Sequence, residues 1–160
     1  MMNYEAISME AAIAITNRSR STWWRYIADG KITRRQDDAR GRAMLSWHEV
    51  VPDIIVSMDC EELSMLLVAD AGDAVAQNEI GQIFLRREEY RAAIYWFKQA
   101  ASKNSADAMH WLAHCYINGK GVEKDTNKGI MWLANSASSG HLISQAVMNK
   151  ILSSEVAALV

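Results

Sequence analysis

The chain has 160 residues, half of them apolar, with six Trp, nine Met, one Pro and a formal net charge of −2. That is enough for one or two domains with a true core, and it excludes a disordered tail. No run approaches the ~18–20 apolar residues that span a bilayer, and the opening MMNYEAISMEAA has acids where a secretory leader has bases, so a cytoplasmic, non-membrane chain is expected.

The small net charge hides an asymmetry. From Arg18 to Arg42 eight bases face three acids, whereas from Ser57 onward nine bases face twelve acids. A basic module and a mildly acidic one suggest two different partners. Cys60 and Cys115 are too far apart to suggest a metal clip and are expected to be buried small hydrophobes, not a disulfide.

In chain order, Ser8 is an N-cap for a short helix over Met9–Thr16, with Ile7, Ala11, Ala12 and Ile15 as its buried stripe. Asn17-Arg18 is a tight corner. Ser19 caps a second helix that runs to Asp29 and stops at Gly30. Trp23 and Ile27 face the core there, while Arg20, Ser21 and Arg25 point away. Trp24 is expected to be core, buried against the hairpin after Gly30. In that hairpin Ile32–Arg34 and Ala43–Leu45 form two short strands around the polar loop RQDDARG, and Trp47–Val51 is helical up to Pro52.

Helix, corner, helix, hairpin, helix is the order of a winged helix-turn-helix. Ala12, Thr22, Trp23, Arg25, Tyr26, Gly30, Ile32 and the GRAMLSW ending resemble the excisionase or MerR-type DNA-binding domain. The resemblance covers residues 1–52 and implies double-stranded DNA as a partner. The second helix would enter the major groove with Arg20 and Arg25 toward guanine edges. Arg18, Ser21 and Thr22 would hold phosphates, and Arg34, Arg35, Arg40 and Arg42 would touch the backbone or a minor groove. A module of this size covers little DNA, so a homodimer or a neighbouring protein is expected to complete binding.

Residues 53–72 are expected to be a connection and a capping helix, N-capped by Ser57. Residues 73–141 repeat themselves. Ala108, Ala113 and Tyr116 fall on Ala76, Gly81 and Phe84 at a shift of 32. Ile130, Trp132, Leu133 and Ala137 fall on Ile94, Trp96, Phe97 and Ala101 at a shift of 36. The four-residue difference lies in the turn Asn118–Asp125, which is how helical-pair repeats vary. Residues 142–160 begin a further helix that caps the array.

The AxA start with Leu112, Tyr116, Gly119, Gly121, Val122, Asp125, Trp132, Ala137 and Gly140 resembles the Sel1-like repeat, a tetratricopeptide-type hairpin. The implied fold class is mainly α, a small winged helix-turn-helix domain followed by an α-solenoid of Sel1-like hairpins. Stacked hairpins leave a groove lined by their first helices, with Asn78, Gln82, Leu85, His110, His114 and Ile117 as candidates to hold a protein or peptide.

His110 and His114 are spaced to hold zinc, but no glutamate follows the first His, so the metalloprotease pattern is absent. The GKG turn lacks the strand and Lys-Ser/Thr of a phosphate loop. With no nucleophile–base set in view, no catalytic residue, metal or cofactor is expected. The function expected is a non-enzymatic regulator that binds DNA and a protein. The alternative is an interaction adaptor whose helix-turn-helix does not bind DNA.

Overall fold

The computed structural model describes residues 5–158, with side chains as far as 154. Residues 1–4, on which part of the leader reading rests, and residues 159–160 at the end of the expected C-terminal cap lie outside the described residues. The chain divides into two compact units, Met1–Ala71 and Gly72–Val160.

The first unit runs β1 (Ala6–Ser8), α1 (Met9–Ile15), α2 (Arg20–Ala28), β2 (Arg34–Arg35), β3 (Met44–Ser46), α3 (Trp47–Val50), a 3-10 turn over Val51–Asp53, and α4 (Cys60–Ala71). Ser8 and Ser19 cap α1 and α2, their hydroxyls each accepting a backbone N–H three residues on, from Ala11 and Thr22. Ile7, Ala11, Ala12, Ile15, Trp23, Leu45 and Val50 are fully buried together.

The sheet has the order β1-β3-β2, antiparallel throughout, with Ile7 and Arg34 both opposite Leu45. The hairpin strands therefore sit one or two residues later than the sequence suggests. The partner strand Ala6–Ser8 is too short to show a period of two. Its pairing is a tertiary choice, made when Ile7 and Leu45 are buried.

Two expectations are corrected here. The helix after the connection is capped by Asp59, not Ser57, because the Asp59 carboxylate accepts the N–H groups of both Glu61 and Glu62 at 2.9 Å. The boundary between units falls at Gly72, not at Pro52. α4 belongs to the first unit because Asp70, near its end, accepts the Ser8 N–H at 2.7 Å and the Ser8 hydroxyl at 2.6 Å.

The second unit contains α5 (Ala74–Arg86), α6 (Tyr90–Ala101), α7 (Ala106–Asn118), α8 (Thr126–Ser138) and α9 (Leu142–Ala158). α5 pairs with α6 and α7 with α8, and α9 packs on α8. One hydrogen bond shows the repeat and its offset together. The Glu89 N–H donates to Phe84 O, and the Asp125 N–H donates to Tyr116 O, both at 2.9 Å. The acceptor has moved by 32 residues and the donor by 36.

The junctions between hairpins obey the same register. Gly72, Asn104 and Gly140 occupy equivalent positions, and each has positive φ. Asn is the side chain that best tolerates the left-handed region. The next residue caps the following helix in each case. Asp73 accepts the Ala76 N–H, Ser105 the Ala108 N–H, and His141 the Ser144 N–H through its Nδ1.

Each hairpin has one glycine where its helices cross. In the first it is Gly81 on α5, against the ring of Phe97 on α6; in the second it is Gly129 on α8, against Ala113 and Ile117 on α7. A Cβ on Gly81 would lie 2.6 Å from the ring of Phe97, which is itself fully buried and has no room to turn. Gly81→Ala should therefore destabilise the second unit by about 1–3 kcal/mol despite alanine's better helix propensity. A lowered urea midpoint at unchanged slope would show it, and an unchanged or raised midpoint would refute the close crossing.

Candidate functional site

The arginines of the first unit are largely engaged by their own chain. Arg18 makes a two-pronged ion pair with Asp53, Nε to Oδ2 and Nη2 to Oδ1 at 2.6 Å, and its Nη1 donates to the Tyr26 hydroxyl at 2.7 Å. This hydrogen-bonded pairing raises its pKa further and fixes the α1–α2 corner to the 3-10 turn. Ser21 sits beside the α2 cap, and Thr22 gives its N–H to it.

The loop expected to be a wing is tied to itself and to α4. Asp38 Oδ1 accepts the N–H groups of Arg40 and Arg42, and its Oδ2 accepts Arg42 Nε at 2.8 Å. Burial alone would raise the Asp38 pKa, but these bonds from Arg42 and Arg40 outweigh it and lower it. Arg42 Nη1 reaches Asp70 Oδ1 at 2.7 Å and its Nη2 the Asp70 carbonyl at 3.0 Å, while the Arg40 guanidinium donates to the Ala71 carbonyl. Arg40 and Arg42 thus close the electronegative end of α4. Arg18 and Arg42, expected to be DNA contacts, are part-buried and already paired with Asp53 and Asp70.

Arg20 pairs with Glu10 and Arg34 with Asp37, both on the surface, where such pairs are weak and exchangeable. Among the described residues, Arg25 and Arg35 have no carboxylate partner. Trp24, expected as core, is 42% exposed, with the Arg34 guanidinium 5.5 Å above its ring. Cys60 is also exposed, whereas Cys115 is buried and burial pushes its thiol up to about 11.

In the second unit, the six proposed groove residues occupy equivalent positions on α5 and α7 but do not all face outward. Asn78 is only 7% exposed, and its Oδ1 is buried without a hydrogen-bond partner. Ile117 packs on α8, since its Cγ1 would lie 2.5 Å from a Cβ on Gly129. Leu85 is half-buried, leaving Gln82 and His114 as the equivalent half-exposed polar pair. His114 lies 6.0 Å from Trp111, whose ring stacks on Phe97. Burial, and then Lys120, lower the His114 pKa.

His110 faces α9. Its Nδ1 lies 2.9 Å from the Ser144 hydroxyl, which is also 2.8 Å from His141 Nδ1 and 2.8 Å from the Ser136 hydroxyl. The two imidazole rings are 4.5 Å apart. Sequence reasoning misses this cluster, yet the register signals it. Ser136 and Ser144 replace Ala100 and Ala108, both buried in the preceding copies. A hydroxyl at a buried alanine position must find partners.

A Sel1 repeat model matches residues 74–105 and again 106–141. Residues 74–141 are thus similar to two successive Sel1 repeats. Among solved structures, the chain is similar to a protective antigen of uropathogenic Escherichia coli displaying an SLR fold, at 32% identity, TM-score 0.54 and 60% of this chain covered. It is also similar to a Sel1 repeat protein from Oxalobacter formigenes, at 29% identity, TM-score 0.52 and 61% coverage. The matches span only 22% and 30% of those two proteins. The paired helices and the likeness to these neighbours support a helical-repeat solenoid for the second unit.

Proposed function

We propose that this chain is a non-enzymatic protein–protein interaction adaptor that uses its Sel1 repeats to hold a segment of a partner protein. The observation that carries this reading is the pair of in-register Sel1 hairpins, whose first helices offer equivalent half-exposed polar residues, Gln82 and His114. Repetition at a fixed step suits a partner whose own groups recur along an extended or helical segment. Immobilised full-length chain should retain a partner that a Gln82→Glu, His114→Glu variant of unchanged helicity releases. Identical capture by both proteins would move the binding face elsewhere.

DNA binding by the first unit, as a winged helix-turn-helix, is the second reading. It is favoured by exposed Trp24 and by Arg25 and Arg35, which are uncommitted to carboxylates. It ranks second because Arg18, Arg20, Arg34 and Arg42 already have carboxylate partners that phosphates would have to displace. Phosphate binding should appear at low salt and weaken steeply as salt rises. Random duplex shifted by the wild type but not by Arg25→Ala, Arg35→Ala would promote this reading, and no shift at low salt would retire it.

A further inference from the structure

The contacts around Ser144 restrict where protons can sit. The Ser144 backbone N–H lies 3.1 Å from His141 Nδ1 and can only donate, so that nitrogen carries no proton in the seated state. The one N–H of a neutral His141 is then on Nε2, 3.4 Å from Asp107 Oδ1. The Ser136 hydroxyl donates to the Ala106 carbonyl at 2.7 Å, which joins α8 to the start of α7. Ser144, fully buried, receives His110 on its remaining side. Neutral rings therefore complete the cap of α9 and attach its first turn to both helices of the second hairpin.

Protonation undoes that arrangement. An added proton on His141 Nδ1 could donate to the Ser144 hydroxyl at 2.8 Å but would leave the Ser144 N–H without its acceptor and so remove the backbone cap. It would also put a positive charge at the positive end of the α9 dipole. A second charge on His110 would lie one ring away. We propose that His110, His141 and Ser144 form an acid-sensitive clasp, which seats α9 on the second hairpin when both rings are neutral and loosens it when they are charged.

The titratable groups facing His110 are His141, His114 on its own helix, and Asp107; α8 contributes the uncharged Ser136. Burial first, then His141 and His114, hold the His110 pKa below the ordinary histidine value, against an opposing pull from Asp107. Asp107 is mostly exposed, so solvent screens it. At His110 the folded chain accordingly binds fewer protons than the unfolded chain just below about pH 6.5. The stability of the seated α9 is complete above that value and falls as the pH drops through it. The device stands independently of the adaptor reading, although release of α9 would uncover the α8 surface on which it packs.

Amide exchange over Ser144–Met148 in the full chain, corrected for intrinsic rates, tests the clasp. Protection should fall about tenfold or more between about pH 7.5 and about pH 5.5. A His110→Gln, His141→Asn variant should keep its protection at both values, because asparagine caps a helix without titrating. A wild type with no fall, or a variant with the same fall, overturns the proposal. Nitrogen shifts of wild-type His141 decide it without any variant: the Nε2–H form at neutral pH supports the clasp, and the Nδ1–H form refutes it.

Discussion

Replacing Asp70 by alanine should unfold the first unit or bring it to the edge of unfolding. Asp70 is 5% exposed and accepts three hydrogen bonds, from the Ser8 N–H, the Ser8 hydroxyl and Arg42. Those donors come from β1 and from the loop before β3, so one carboxylate ties both to α4. Burial would lower the Arg42 pKa, but the charges of Asp70 and Asp38 outweigh it and keep the guanidinium charged. Removing one partner of a buried pair costs about 3–5 kcal/mol because the other is left uncompensated. A domain of this size commonly has only about 5 kcal/mol in all. The amide signals of Ile7, Leu45 and Val50 should lose dispersion in Asp70→Ala. Arg42→Ala should cost less, since Asp70 keeps both Ser8 donors. Equal costs for the two would mean that the ion pair, not the Ser8 bonds, anchors α4.

The repeat is legible because its signal is carried by side-chain volume, which a sequence displays directly. Gly81, Phe84, Trp96 and Phe97 find counterparts in Ala113, Tyr116, Trp132 and Leu133 at fixed shifts, and the structure hangs the Glu89 and Asp125 bonds on the same two offsets. α1 and α2 are legible through their serine caps, which a sequence also displays. The destination of long polar side chains is hidden. An arginine run looks alike whether it faces phosphate or a carboxylate of its own chain. Only the fold brings Asp53 to Arg18 and Asp70 to Arg42, which are 35 and 28 residues apart. Asp38, by its sequence position an acid in the wing loop, is the group that ties that loop together. In the groove, the period of a helix marks one face but not how much of it a neighbour covers. Asn78 is buried and Ile117 packs on α8, which the period alone does not reveal.

Gly121→Ala should destabilise the second unit more than Gly119→Ala, although the two glycines share nearly the same backbone conformation. Their φ values are +71° and +68°, so the cost of placing a side chain in the left-handed region, about 1–2 kcal/mol, is common to both. Around Gly119 the nearest obstacle to a Cβ is the Lys124 Cβ at 3.3 Å, which a small loop shift relieves. A Cβ on Gly121 would lie 2.7 Å from the Tyr90 Cβ and 2.8 Å from the Tyr90 carbonyl carbon and oxygen. Backbone at the start of α6 cannot rotate away, so overpacking adds about 1–3 kcal/mol at this position alone. The four residues by which the second turn exceeds the first thus carry the chain back onto the preceding hairpin. Lys120 extends the contact, with its Nζ 5.5 Å from the centre of the Tyr90 ring. In a repeat array the couplings between neighbours set how cooperatively the units melt. Gly121→Ala should accordingly broaden the urea transition of the second unit as well as lower its midpoint, whereas Gly119→Ala lowers the midpoint alone. Indistinguishable curves for the two variants would show that the loop is only a turn and does not brace one repeat against the other.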